Sequence, residues 1–232
     1  MSYHNGPRII TNGLVLYLDA GNSKSYPGSG STWTDLSGRN NNATMYGSVP
    51  LETDVVRCWN FATATGASST SSSLGFSFAT NMVPTTGNFT FSFWVKNANS
   101  VLGQIGLFSN AGGGDGYRFG IGLAGIYYLT GPTYTEATVN FLNTSSASIW
   151  YNVIAIFRKS TSQILLYRNG IYQGAVSIPA QTTMSNNTPG LVRSSCCSIY
   201  TGKLAMMSIY GSDLSDSEIQ QNYNATKGRF NL

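Results

Sequence analysis

The chain has 232 residues, 41% of them apolar and only 9% charged, with 13 Lys and Arg against 9 Asp and Glu for a formal net charge of +4. That apolar share is enough for one sizeable core, while a charge content far below the roughly 25% of ordinary soluble domains leaves solubility to Ser, Thr, Asn and Gly. Such a surface suits an extracellular, virion-surface or assembled protein, and it excludes the basic patch or stripe of a nucleic-acid binder, because only Arg158 and Lys159 are adjacent cations.

The residues before the first apolar stretch, Met1 to Arg8, contain no apolar segment of the secretory kind. No run approaches the 18 apolar residues that a spanning helix needs, so synthesis in a host cytoplasm without a membrane span is expected. Residues 1–12 read as an N-terminal arm and 13–232 as a single domain, since no shift in composition marks a second one. Short apolar stretches punctuated by Gly, Asn and Ser predict strands over 13–20, 42–47, 54–62, 88–97, 104–109, 117–123, 125–130, 136–142, 149–158, 163–168, 171–178, 191–200 and 202–210. Thr63–Ser73 is low-complexity Ala, Ser, Thr and Gly and reads as a loop. Along Asn88–Lys96 the residues alternate, with Phe89, Phe91, Phe93 and Val95 on one face and Thr90, Ser92, Trp94 and Lys96 on the other, which predicts a half-buried antiparallel strand.

Tyr167-Arg168-Asn169-Gly170-Ile171-Tyr172 places Asn-Gly between two apolar stretches. Both central residues of a type I′ turn need positive φ, which Asn and Gly tolerate best, so a two-residue hairpin is expected. Its register sets Arg168 opposite Ile171, Tyr167 opposite Tyr172 and Leu166 opposite Gln173. Near the end, Ser215-Asp216-Ser217-Glu218 fits a capping box, Leu214 and Ile219 a hydrophobic staple, and Gly228 a helix stop.

Four blocks together resemble the laminin-G-like, concanavalin-like jelly-roll modules of bacterial and phage surface proteins. They are Gly13–Ala20 followed by Trp33-Thr34-Asp35-Leu36-Ser37-Gly38, then Phe89–Lys96, then Trp150-Tyr151-Asn152-Val153 with the Asn-Gly hairpin, then Gly202–Tyr210 with Leu214–Ile219. The resemblance implies an all-β, concanavalin-like antiparallel β-sandwich with one short C-terminal helix. The opening, from Tyr3 to Gly38, also resembles structural proteins of marine tailed phages, particularly those infecting cyanobacteria. Some members of the wider family hold a structural calcium through loop carboxylates, and here Asp19 and Asp35, with Asp115, are the candidates. The competing reading is that Asp19 and Asp35 cap turns.

Catalytic groups are sparse. Glycosidases on this sandwich use paired carboxylates a few ångströms apart, and only Glu52 and Asp54 have the same-face spacing of a strand. His4 is the single histidine, which leaves Cys58, Cys196 and Cys197 without a base and without a zinc or disulfide pattern. No enzyme is therefore expected. Binding fits better: Trp94 could stack a sugar or a partner side chain, although packing beneath a loop or sheet layer is favoured for a Trp. Asp115, Tyr117, Tyr128 and Tyr134, around the glycine-rich 112–116 loop and the Gly131-Pro132 turn, form a candidate rim.

The expected function is that of a non-enzymatic virion structural protein of a tailed phage. It would be displayed on the particle surface as a capsid decoration or a fibre or appendage component, acting by protein or glycan adhesion. The alternative is a free-standing carbohydrate-binding, lectin-like module. The implied partners are capsid or tail proteins and host-surface glycans, with homo-oligomerisation left open; no cofactor beyond the calcium just described is implied.

Overall fold

A computed structural model of the chain describes residues 7–61, 75–79, 82, 87–97, 118–122, 125–130, 133–137, 149–177, 190–191 and 202–232. In chain order the strands begin with β1 (Leu14–Asp19), β2 (Thr32–Trp33), β3 (Ala43–Tyr46), β4 (Leu51–Thr53), β5 (Arg57–Asn60) and β6 (Gly75–Phe78). They continue with β7 (Phe89–Asn97), β8 (Arg118–Gly122), β9 (Gly125–Thr130), β10 (Thr133–Ala137) and β11 (Trp150–Arg158). Then come β12 (Gln163–Arg168), β13 (Ile171–Ser177), β14 (Gly190–Leu191) and β15 (Gly202–Tyr210), followed by helix α1 (Asp216–Thr226). Every pairing is antiparallel.

The larger sheet has the order β13-β12-β11-β7-β15-β5-β4, with β1 beside the second half of β15. The opposing layer contains β14-β6-β3-β2, and β10-β9-β8 form a three-stranded sheet. Between the layers lies one apolar core in which Phe91, Phe93, Val95, Val153 and Leu204 meet Trp33, Trp59 and Phe76. Phe89 stacks on Phe157 at 4.5 Å between ring centroids, the offset-ring contact that adds to simple burial.

Several expected strands shift. The strand expected from 136 already begins at Thr133 as β10, and the one expected from 54 begins at Arg57 as β5, while 138–142, 104–109 and 192–200 lie outside the described residues. Strands β2, β4 and β6 carry only two to four residues each, too few for a period-2 pattern to register in sequence.

The half-buried reading of β7 is overturned, because both of its faces are covered. Thr90 is 0%, Ser92 8% and Trp94 2% exposed, since α1 and the residues after it lie across this outer face of the larger sheet. The polar side chains there find internal partners. Thr90 Oγ1 donates to Ser212 O and accepts from Leu214 N, and Trp94 Nε1 donates to Thr226 Oγ1 at 3.0 Å.

The hairpin forms as expected, with Asn169 at φ 52° and Gly170 at φ 77°, and Tyr167 meets Tyr172 edge-on at 5.3 Å. One pairing differs: a bulge sets Leu166 opposite Gly174, leaving Gln173 as the extra residue, and Gly174 takes φ 151°. Asn169 does more than turn the chain. Its Oδ1 accepts from Asn152 N, and its N–H donates to Asn152 O. Asn169→Val is therefore expected to cost about 1–3 kcal/mol in backbone strain and about 1 kcal/mol more for the lost bond. Asn169→Gly should lose only the smaller part; equal losses in urea melts of the two variants would contradict the positive-φ account.

The capping box is complete: Ser215 Oγ accepts from Glu218 N and Glu218 Oε2 accepts from Ser215 N at 2.8 Å. The staple residues Leu214 and Ile219 are both buried against Ile154, Tyr167 and Tyr210. The stop at Gly228 is corrected. The α-helix ends at Thr226, the chain tightens into a 3-10 turn over Lys227–Phe230, and Asn231 at φ 60° is the left-handed terminator. Tightening aims Phe230 at the sheet, where it stacks on Trp94 at 3.8 Å. The arm is also anchored. Ile10 N donates to Asn222 Oδ1, Tyr210 Oη donates to Ile10 O, and Ile9 and Ile10 pack on the cluster around Ile219.

Candidate functional site

Of the residues expected to bind, Trp94 is the clearest correction. Its ring is sandwiched by Phe230 and lies near Tyr223, with its indole N–H bonded to Thr226, so neither face nor edge is offered to a ligand. The packing alternative holds because the C-terminal residues supply an aromatic cover that alternation within β7 cannot reveal. Asp115 and Tyr117 lie outside the described residues. Tyr128 and Tyr134 lie on β9 and β10, where Tyr128 is opposite Thr135 and Phe119 while Tyr134 is opposite Leu129. Those two tyrosines hold staggered register positions on paired strands.

Asp35 and Asp19 are both buried, and both are occupied by protein donors. Asp35 Oδ1 accepts from Tyr17 N and Ser37 N, each at 2.9 Å, and Oδ2 accepts from Ser37 Oγ at 2.7 Å and Asn41 N at 3.0 Å. Asn42 Oδ1 returns the favour by accepting from Asp35 N. The Trp33–Gly38 block is thus a turn built round one carboxylate that pins β1 to the following loop. Asp19 takes a two-pronged contact from Arg229, Nη1 to Oδ2 at 2.6 Å and Nη2 to Oδ1 at 2.9 Å. Gly21 leaves room beside it, because a Cβ there would push the Arg229 guanidinium from its place. Calcium seeks six to eight oxygens with several carboxylates, whereas these two acids are spent on four donors and on a cation. Among the described residues no group of three or more His, Cys, Asp or Glu is placed to hold a metal. The surroundings of Asp19 and Asp35 do not fit calcium.

The one acidic pair at strand spacing forms an ionic cluster on the outer face of the larger sheet, where β4, β5, β15 and β7 run side by side. Lys203 Nζ bridges Glu52 and Asp54, Lys96 Nζ reaches Asp54 at 2.7 Å, and Asn60 Nδ2 donates to Glu52 at 2.7 Å. The hydrogen bond from Lys203 holds the Glu52 carboxyl below its ordinary value against the opposing effect of burial. Burial pushes Asp54 upward, but the bonds from Lys96 and Lys203 together outweigh it and its net direction is down. Burial likewise lowers Lys203, yet its two carboxylate partners raise it overall. Beside them Cys58 is fully buried, and burial, then the Glu52 charge, pushes its thiol up to about 12, which keeps it protonated and unreactive.

The linkage has a definite sign. A carboxylate depressed in the folded state contributes stability above its unfolded pKa of about 4, and loses it as pH falls through the folded value. Lys203, raised, contributes below about 10.5 and loses that as pH climbs through its folded value. The stability gap between wild type and Lys203→Met is therefore expected to be widest between about pH 5 and 9 and to close below about pH 3. Urea midpoints measured across that range would check it, and a gap independent of pH would show that packing alone is lost.

Residues 69–220, well over half of the chain, match the family described as the concanavalin A-like lectin/glucanases superfamily. The chain belongs to that superfamily. This concanavalin A-like fold is similar to the binding domain of botulinum neurotoxin DC in complex with rat synaptotagmin II, at 14% identity and a TM-score of 0.64 over 93% of this chain and 52% of that one. It is similar also to the same toxin's binding domain in complex with SialylT, at 14% identity, TM-score 0.65 and the same coverage of 93% and 52%. The binding domain of Paraclostridial Mosquitocidal Protein 1 matches at 17% identity and a TM-score of 0.63, again over 93% and 52%. The chain thus spans about half the length of these solved structures. No curated protein sequence matches it.

Within a superfamily of lectins and glucanases the carboxylates decide which chemistry is open. A glycosidase needs one carboxyl raised to act as an acid beside one that stays ionised. In this concanavalin A-like domain Glu52 and Asp54 are both held down by lysines, so neither serves as a proton donor at neutral pH. Among the described residues the most exposed large hydrophobic side chains are Ile171, 65%, and Tyr172, 51%, at the tip of the Asn-Gly hairpin. Arg168 stands over the Tyr151 ring on the neighbouring strand. In the sequence the Asn-Gly pair marks this hairpin as structure, and Tyr172 at the mouth of the tight turn is the signal for a contact surface.

Proposed function

We propose that this chain is a non-enzymatic adhesion module displayed on the surface of a tailed-phage particle, as a capsid decoration or a component of a fibre or appendage. The observation that carries the non-catalytic reading is the lysine lock on the single acidic pair at strand spacing, Glu52 and Asp54. The low charge, 9% of residues, and the resemblance of Tyr3–Gly38 to marine phage structural proteins support the virion assignment. The similar solved domains, one in complex with synaptotagmin II and one with SialylT, support adhesion to a protein or a glycan. Its partners are capsid or tail proteins within the particle, and glycans at the host surface where the exposed end engages a cell. Mass spectrometry of purified particles tests the assignment: the chain is expected at a fixed stoichiometry, and its absence from washed virions would end the virion reading. The complex with SialylT also favours a second reading, a free-standing lectin-like module. A glycan array, run with and without calcium, distinguishes the two when the virion result is negative.

A further inference from the structure

Three strands of the larger sheet set polar side chains in a row beneath α1. Asn152 on β11 is opposite Trp94 on β7, Ser92 lies two residues before Trp94, and Ser208 on β15 is opposite Ser92. Between this row and Tyr210, Asn222 and Thr226 is a cavity of about 20 Å³. That volume exceeds the roughly 10–15 Å³ that one water requires and is far below what a sugar or nucleotide needs.

Asn152 is 3% exposed and its amide orientation is determined by chemistry. Nδ2 donates to Phe93 O and to Ser92 Oγ, both at 3.2 Å. A main-chain carbonyl only accepts, so the amide cannot be turned round without losing that bond. Oδ1 is thereby left buried with no donor among the described residues. An orphaned buried acceptor costs about 1–3 kcal/mol, a penalty that stable domains avoid by supplying a donor. The polar groups around the cavity are bonded elsewhere or leave it unbonded. Asn222 accepts from Ile10 N and donates to Tyr210 Oη, and the Thr226 hydroxyl accepts from Trp94 and donates to Asn222 O. Ser92 Oγ accepts from Asn152 and keeps its own proton to give.

We propose that this cavity is an internal hydration site in which one ordered water donates to Asn152 Oδ1 and accepts from the Ser92 hydroxyl. The lining chemistry selects the occupant. Among the described residues no charged side chain borders the cavity, so a cation or an anion would be held without a counter-charge at a large desolvation cost. An apolar occupant would leave Oδ1 unpaired. The water would join β11 to β7 beneath α1, completing the polar contacts of the sheet face that the C-terminal helix covers.

A crystal structure of the wild-type protein at about 1.5 Å tests the site directly. A density peak in the cavity within about 2.6–3.2 Å of Asn152 Oδ1 and of one further polar atom is the expected result. An empty cavity would overturn the proposal, as would an Asn152 side chain rotated onto a protein donor. In solution, oxygen-17 relaxation dispersion should report one fewer long-lived water in Asn152→Leu, which replaces the amide with an apolar group of similar size, than in wild type. An unchanged amplitude in a folded variant would also overturn it. Should Asn152→Leu fail to fold, Ser92→Ala, which removes one of the water's two partners, is expected to shorten the water's residence time and is read by the same measurement.

Discussion

Asp35→Ala is expected to lower stability by about 3–5 kcal/mol, near the top of the range for a single substitution. The carboxylate is 6% exposed and satisfies the main-chain N–H groups of Tyr17, Ser37 and Asn41 as well as the Ser37 hydroxyl. Removing it strands three backbone donors, each costing about 1–3 kcal/mol when buried. Ser37 and Asn41 lie at a partly open surface, so water recovers some of that loss and the total falls below the simple sum. Asp35→Asn keeps one accepting oxygen and should lose clearly less. Equilibrium unfolding in urea measures both, provided the slopes match wild type. The same experiment repeated with EGTA addresses the metal question. Because Asp35 is filled by protein donors and Asp19 by Arg229, chelation is expected to leave the wild-type midpoint unmoved; a drop would mean that a cation shares these oxygens.

Phe230→Ala should be similarly costly, about 3–5 kcal/mol, for a different reason. Phe230 is 3% exposed, stacks on Trp94 with the rings 5° from parallel, and meets Trp150 at 5.1 Å. Deleting the ring removes its transfer free energy and leaves a cavity that the rigid indoles cannot close. The loss should have a spectroscopic companion, since water would gain access to Trp94 and Trp150 and shift tryptophan emission to the red. Tyr46→Ala, at a residue 44% exposed, serves as the control and is expected to change neither quantity appreciably. A Phe230→Ala protein with unaltered emission would place the cover over Trp94 elsewhere.

Asp35 is satisfied by residues near it in sequence, whereas Phe230 covers Trp94 and Trp150 from the far end of the chain, and contacts of that second kind leave no local pattern. The Glu52 and Asp54 spacing was visible, but its meaning was not, because Lys203 joins the pair from about 150 residues away and Lys96 from about 42. Likewise the choice between calcium and turn-capping for Asp19 depended on Arg229, 210 residues distant. The candidate rim around Asp115 and Tyr117 rests on tyrosines that bracket a glycine-rich loop and a Gly-Pro turn, and such a stretch has no periodic pattern from which its neighbours could be read.

What the amino-acid sequence determined by itself were the features set by forces acting within a few residues. The Asn169-Gly170 turn follows from the steric ease of positive φ, and the Ser215–Glu218 box from two hydrogen bonds closing over three residues. Phe89, Phe91, Phe93 and Val95 were assigned to the core by a period of two, and the antiparallel sandwich followed from many such strands with short turns. Tertiary structure decided what covers each face. Thr90, Ser92 and Trp94 carry the polarity of a solvent-facing strand, yet they are buried, because α1 and Phe230 return from the far end of the chain to lie on them. Whether a polar side chain meets water or a partner depends on long-range packing, whose contacts leave no local spacing to read.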